Sequence, residues 1–210
     1  MITIHHLGVS QSDRVVWLME ELGLPYELKW YNRKENGLAP EEFLALHPAA
    51  TAPVITDGDK VLTESAAIVE YICHRYAGGK LTIAPNQPDY FDYLYWMQFN
   101  NNVIGLFFGR MGLRAGAHGE EADRVTGLIE RREKGYYDYM DQHLAKKPFR
   151  AGSELTCADI MAMFPLTAMP LFGGPTIDHL PNVKAYVERV SARPAYIKAM
   201  KIAGPAAPPR

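Results

Sequence analysis

The run from Pro53 to Ile68, P-V-I-T-D-G-D-K-V-L-T-E-S-A-A-I, constrains this chain more than any other stretch. Val54 to Thr56 and Lys60 to Leu62 are short β-type segments joined through Asp57-Gly58, a pair that supplies the positive φ a tight hairpin needs. A helix opens at Glu64 or Ser65, because Ala67, Ile68, Tyr71 and Ile72 have the spacing of one helical face. Free N–H groups and the positive end of the helix dipole gather at that start, which suits a carboxylate. Glu64 beside it suits an ammonium, so the pair fits the two charges of an amino-acid end. Pro53 opens the strand, where a cis peptide after Ala52 would turn the N–H and C=O of Val54 toward an extended ligand. Singly, these features are a proline before an edge strand and an ordinary capping pair; together they place an anion site beside an extended edge.

A chain of 210 residues, 48% apolar, is long enough for two ordinary domains with a sizeable core. Its formal net charge of −2 gives no broad attraction to nucleic acid or to an anionic membrane, so neither is expected as a partner. Cys73 and Cys157 are the two cysteines, and their wide separation argues against a disulfide scaffold or a dithiol motif and for a reducing, cytoplasmic setting. Met1 leads directly into I-T-I-H-H, which is not a secretory signal pattern. The most apolar run, Ala158 to Phe172, is too short to span a membrane and contains Pro165 and Pro170, so it reads as a buried helix. His5 and His6 have no Cys or carboxylate at ligand spacing, and no metal is expected.

The first third alternates strand and helix patterns. Ile2 to Leu7 reads as a strand, and Asp13 to Leu22 as a helix with Val15, Val16, Met19 and Leu22 on one face and Gly23 as its stop. Tyr26 to Tyr31 is a second strand, Pro40 to Leu46 a short helix, and the hairpin and a helix to Tyr76 complete a βαβαββα order. Breakers at Gly78-Gly79 and Pro85 to Pro88 divide residues 1–78 from a helical domain at 89–203, with 79–88 as linker and 204–210 as a loosely ordered tail. In the second part, Tyr90 to about Leu113 and Glu120 to about Leu144 are long enough to pair antiparallel. Thr156-Cys157-Ala158-Asp159 has the pattern of a capping box, with Leu155 placed to staple against Ile160. Helices near Pro181 to Ser191 and Pro194 to Ile202 follow.

With these pieces placed, the chain resembles the cytosolic glutathione transferases over nearly its full length. The matching segments are S-Q-S-D-R-V after the first strand, E-E-L-G-L-P-Y-E-L, A-P-V-I, T-E-S-A-A-I-V-E-Y-I and L-T-C-A-D-I, in the family's order. The resemblance implies a thioredoxin-like N-terminal domain that holds glutathione as co-substrate and an all-helical domain that completes a pocket for a small-molecule electrophile. It also implies a homodimer. The resemblance further implies that Val54, after Pro53, pairs with the cysteinyl part of glutathione, that Ser65 receives the γ-glutamyl carboxylate and that Glu64 binds near its amino group. A lysine common in the family before the A-P-V-type motif is missing here, so the glycine carboxylate falls to Arg33, Lys34 or His47 by position.

A glutathione thiol, like free cysteine, has a pKa of about 8.5, and the protein must favour its anion. A hydroxyl donating to the sulfur at the start of a helix would do so. Ser10 and Ser12 both stand between the first strand and the first helix. In serine-type members the activating hydroxyl precedes the arginine resembling Arg14 by four residues, which assigns the role to Ser10 with Ser12 in reserve for it; the ordinary role of either serine is to cap the helix, and that is the role expected of Ser12. Phe107, Phe108, Arg110, Met111 and Arg114 are the candidates to line the second-substrate pocket, although Phe and Met at helical spacing also pack into bundle interiors. The expected activity is attack of the thiolate on an electrophile, by conjugation or peroxide reduction. The alternatives are a glutathione-dependent disulfide reductase and a non-catalytic binding or regulatory protein of the same fold.

Overall fold

The computed structural model describes residues 1–116 and 118–208, apart from the side chains of residues 114 and 115. The chain divides into two compact units, one formed by Met1–Ile83 with the segment from Arg189 onward and the other by Ala84–Glu188.

In the first unit the elements run β1 (Ile2–Leu7), α1 (Asp13–Leu22), β2 (Tyr26–Tyr31), α2 (Glu41–Leu44), β3 (Val54–Asp57), β4 (Lys60–Leu62) and α3 (Ser65–Tyr76). The βαβαββα order read from the sequence is therefore present. The sheet order is β2-β1-β3-β4, with β1 parallel to β2 and antiparallel to β3, and β3 antiparallel to β4. This is a thioredoxin-like arrangement. Gly23 ends α1 in the left-handed region (φ 65°), and the Leu24 N–H donates to the Met19 carbonyl at 3.0 Å, a Schellman closure that spares the last carbonyls from being orphaned. Gly58 (φ 61°) takes the first position of the two-residue hairpin loop, where a side chain would be strained. The Ala52–Pro53 peptide is cis.

The helix expected near residues 194–202 is α8 (Pro194–Ala203), and it groups with the first unit instead of the helical one. Side chains explain this. Trp17 of α1 meets the Tyr196 ring edge-on at 5.0 Å, Arg193 pairs with Glu21, and Lys198 pairs with Glu20 at 2.6 Å. Within the expected loose tail, Gly204 is buried and the Ala207 N–H closes a turn on its carbonyl.

The second unit is helical. It contains α4 (Tyr90–Gly116), α5 (Glu120–Leu144), α6 (Cys157–Thr167), a 3₁₀ turn at Met169–Phe172 and the start of α7 (Pro181–Ser191). The apolar run expected to be one helix to Phe172 thus breaks after Thr167, ahead of Pro170, which has no N–H to continue the ladder. The capping box at α6 is present. The Thr156 N–H donates to Asp159 Oδ2 at 2.8 Å and Thr156 Oγ1 accepts from the Ala158 N–H at 3.3 Å. The buried Asp159 carboxylate also accepts from the Arg150 N–H and from the Tyr186 hydroxyl, both at 2.9 Å. Arg150 lies over the Trp96 ring at 4.6 Å, so this polar knot is sealed by aromatic surface.

Candidate active site

The register of the sheet determines which loops meet. His5 of β1 faces Val54 of β3, and Ile55 of β3 faces Leu62 of β4. The end of β1, the start of β3 and the end of β4 therefore lie at one edge of the sheet. From that edge emerge the loop bearing Ser10, the cis-Pro53 turn and the N-terminus of α3. The β3–β4 ladder starts at Ile55, so Val54 has a ladder partner on β1 and none on β4. Leu7, Tyr31, Phe43 and Val54 form the apolar floor beneath this edge.

Ser65 is the first residue of α3 and is buried, whereas Glu64 before it is exposed. The first helical bond runs from the Ile68 N–H to the Glu64 carbonyl at 2.9 Å, so the N–H groups of Ser65, Ala66 and Ala67 precede the ladder. Glu64 adopts φ 68°, ψ 109°, a conformation a non-glycine residue rarely takes. Such strain concentrates where side chains must be aimed at a ligand.

The Ser10 loop is equally unusual. Val9, a β-branched residue, sits at φ 49°. Ser10 Oγ donates to the Leu7 carbonyl at 2.7 Å and lies 2.7 Å from Ser12 Oγ, which is 2.8 Å from His6 Nδ1. Ser12 precedes α1 but makes no side-chain cap bond, contrary to its expected role as a helix cap; its hydroxyl is taken up by Ser10 and His6. Asp13 opens α1, and burial pushes its carboxyl up to about 7, against the pull of the neighbouring Arg14.

The candidates for the glycine end of glutathione separate clearly. Arg33 spends Nε, Nη1 and Nη2 on the carbonyls of Gly8 (2.7 Å), Gly37 (2.9 Å) and Val9 (3.1 Å), so it clamps the Ser10 loop. Lys34 pairs with Glu41 at 2.6 Å. His47 Nδ1 accepts from the Ala49 N–H at 3.1 Å, which leaves the ring proton on Nε2 as a donor just upstream of Pro53.

Of the five residues expected to line a second-substrate pocket, the four whose side chains are described do not share one surface. Phe107 is buried with Ile104, Phe164, Ala168 and Met169, and the buried Arg110 pairs with Glu133 at 3.2 Å. Phe108 and Met111 are 57% and 42% exposed, on another side of α4. The Arg114 side chain lies outside the described residues. Among the described residues, no cluster of three or more His, Cys, Asp or Glu is arranged to hold a metal, and no helix is long and apolar enough to cross a membrane.

The bond of His6 to Ser12 and the clamping of the Ser10 loop by Arg33 are not among the roles expected from the sequence, where His6 is weighed only as a metal ligand and Arg33 only as a carboxylate partner. For His6 a signal existed, because it alternates with Ile2 and Ile4 along β1 and a polar side chain on that buried face requires a partner. Nothing in the sequence marked the Arg33 contacts, which depend on how β2 runs beside β1.

Residues 10–75 match the family model for the glutathione S-transferase N-terminal domain, and residues 112–194 match that for the C-terminal domain. Glutathione S-transferase 3 of Schizosaccharomyces pombe is 31% identical over 93% of this chain and 85% of its own length. Glutathione S-transferase 3 of Zea mays is 31% identical over 88% of this chain and 86% of its own. A crystal structure of a glutathione S-transferase from Actinobacillus pleuropneumoniae, 35% identical, superposes with a TM-score of 0.88 over 97% of this chain and 93% of that one. The fold is a thioredoxin-like domain joined to a helical domain, as in the glutathione S-transferases it matches. The chain belongs to the glutathione S-transferase family and is a glutathione transferase.

Proposed function

We propose that glutathione lies extended along Val54, with its γ-glutamyl carboxylate on Ser65 and the first N–H groups of α3, its amino group near Glu64 and its glycine carboxylate on His47 Nε2. The observation that carries this reading is the register that brings the Ser10 loop, Val54 and the α3 N-terminus to one edge of the sheet. Val54 lacks a β4 partner, so an extended peptide would complete the ladder there. The anion meets a helix N-terminus whose N–H groups and dipole both favour negative charge.

Ser10 then turns its proton from the Leu7 carbonyl to the sulfur. A hydroxyl that donates to the thiolate favours the anion over the thiol and lowers the pKa of the bound thiol. The thiol proton passes to solvent. The sulfur pair attacks the electrophile, the C–S bond forms, and the leaving group departs with its electron pair; with a peroxide, the S–O bond forms as the O–O bond breaks, the alkoxide leaves with that electron pair and takes a proton, and a second glutathione thiol displaces water from the resulting sulfenic acid to give glutathione disulfide. The pairing of two chains is supported by Phe91 (75% exposed), Leu94 and Tyr95 on α4, an apolar face that a second copy would cover. The setting is cytoplasmic, in keeping with the free thiols of Cys73 and Cys157.

The test is an ultraviolet titration of the bound thiolate, coupled to turnover with aryl halides, peroxides and mixed disulfides. Ser10→Ala should raise the thiol pKa by about one to two units and depress turnover far more than binding. Turnover confined to mixed disulfides would replace conjugation by disulfide reduction, and an unmoved pKa would remove Ser10 from the chemistry.

A further inference from the structure

We propose that His6 is a positioning residue of the active site: through Ser12 it forces Ser10 to act as an obligate donor toward the sulfur. This rests on the assignment of Ser10 as the activating hydroxyl.

A carbonyl oxygen only accepts, so the contact between Ser10 Oγ and the Leu7 carbonyl uses the single proton of Ser10. The Ser10–Ser12 contact must then carry the Ser12 proton toward Ser10. With that proton committed, Ser12 Oγ can only accept from His6, which sets the ring tautomer with hydrogen on Nδ1. The chain reads His6 Nδ1–H to Ser12 Oγ, Ser12 O–H to Ser10 Oγ, and Ser10 O–H to the Leu7 carbonyl, the one bond it exchanges for the sulfur when glutathione binds. The Ser12 N–H also points at Ser10 Oγ, at 3.4 Å, toward its second lone pair. Ser10 is left with no lone pair for the hydrogen of a thiol and one proton to give, a configuration that selects the anion. Each member that accepts while donating is polarised, which strengthens the last bond of the chain. His6 is held for this task in full burial against the Trp30 ring, with centroids 4.3 Å apart. Without its donor, Ser12 is free to accept from Ser10, and the Ser10 proton is no longer kept from Ser12 and available to the sulfur.

The experiment titrates bound glutathione by its thiolate absorbance in the full chain, with S-methylglutathione, which has no ionisable thiol, as the binding control. His6→Leu and Ser12→Ala should each raise the thiol pKa by about half to one unit, three- to tenfold less thiolate below the pKa, with S-methylglutathione affinity within about twofold of wild type. His6→Asn places an amide N–H near the position of Nδ1 and should return the pKa to within about 0.3 unit of wild type. An unshifted pKa in His6→Leu, beside a shifted one in Ser10→Ala, overturns the role of His6 and leaves Ser10 standing. An unshifted pKa in Ser10→Ala overturns the Ser10 assignment itself. Equal shifts in His6→Leu and His6→Asn overturn the proposal, since loss of the donor is then not the cause. Should His6→Leu fail to fold, an unshifted pKa in Ser12→Ala overturns it on its own.

Discussion

Arg33 Nε donates to the Gly8 carbonyl at 2.7 Å, which ties the chain after β2 to the loop that carries Ser10. With Nη2 on the Val9 carbonyl, the guanidinium spans two successive peptide units around the one held at φ 49°. Hydrogen bonds from a charged donor contribute about 1.5–3 kcal/mol when well formed, enough to hold such a conformation. Arg33→Ala should therefore lower turnover by about tenfold while S-methylglutathione affinity changes less. Arg33→Lys should recover only part of the loss, because one ammonium cannot reproduce a planar fork on separate carbonyls. Steady-state kinetics beside calorimetry check this; equal losses in binding and turnover would make Arg33 a ligand contact instead.

Asp159 belongs to stability. Its carboxylate accepts from the Arg150 and Thr156 N–H groups, the Tyr186 hydroxyl and Thr156 Oγ1, and burial, opposed by these bonds, raises its pKa. Asp159→Ala orphans these donors and should cost about 3 kcal/mol in urea unfolding. The folded fraction should keep wild-type glutathione affinity, and lost binding with an unchanged midpoint would contradict the assignment.

Asp13 predicts a pH dependence with a definite sign. Its carboxyl is raised by burial from 3.8 to about 7, so the folded state binds more protons than the unfolded state between those values. Stability from this group therefore falls as pH rises from about 4 to about 7 and is level above that. Asp13→Asn removes the dependence, and its stability relative to wild type should improve by on the order of 2 kcal/mol between pH 5 and pH 8. A difference that stays constant across that range would show that the carboxyl titrates normally.

What the sequence made legible follows from what is local. Periodicity placed β1, α1, β2 and α3 at the bounds the structure shows, and the Thr156–Asp159 box was readable because its bonds join residues three apart. A proline at the start of β3 allowed a cis peptide without requiring one, and the Ala52–Pro53 bond is cis. Ser12 misled because a serine ahead of a helix normally caps it, and only the approach of α1 to β1 gives its hydroxyl to His6. Phe107 with Arg110 and Phe108 with Met111 have the same spacing of three along α4, so helical geometry groups each pair without saying which faces inward. Tertiary contact decided it, through Phe164 and Met169 for one residue and Glu133 for the other. The grouping of α8 with the first unit likewise rests on Trp17, Glu20 and Glu21, some 170 residues away in sequence.

The placement of glutathione is tested most directly by calorimetry on Ser65→Ala. Ser65 opens α3 at the edge where Val54 lies, and its hydroxyl with the adjacent N–H groups is the anion site of the account. Removing one hydrogen bond to a charged carboxylate costs about 1.5–3 kcal/mol, so the Kd for glutathione should rise about tenfold or more, with the melting temperature of the free protein little changed. A Kd equal to that of wild type would contradict the placement.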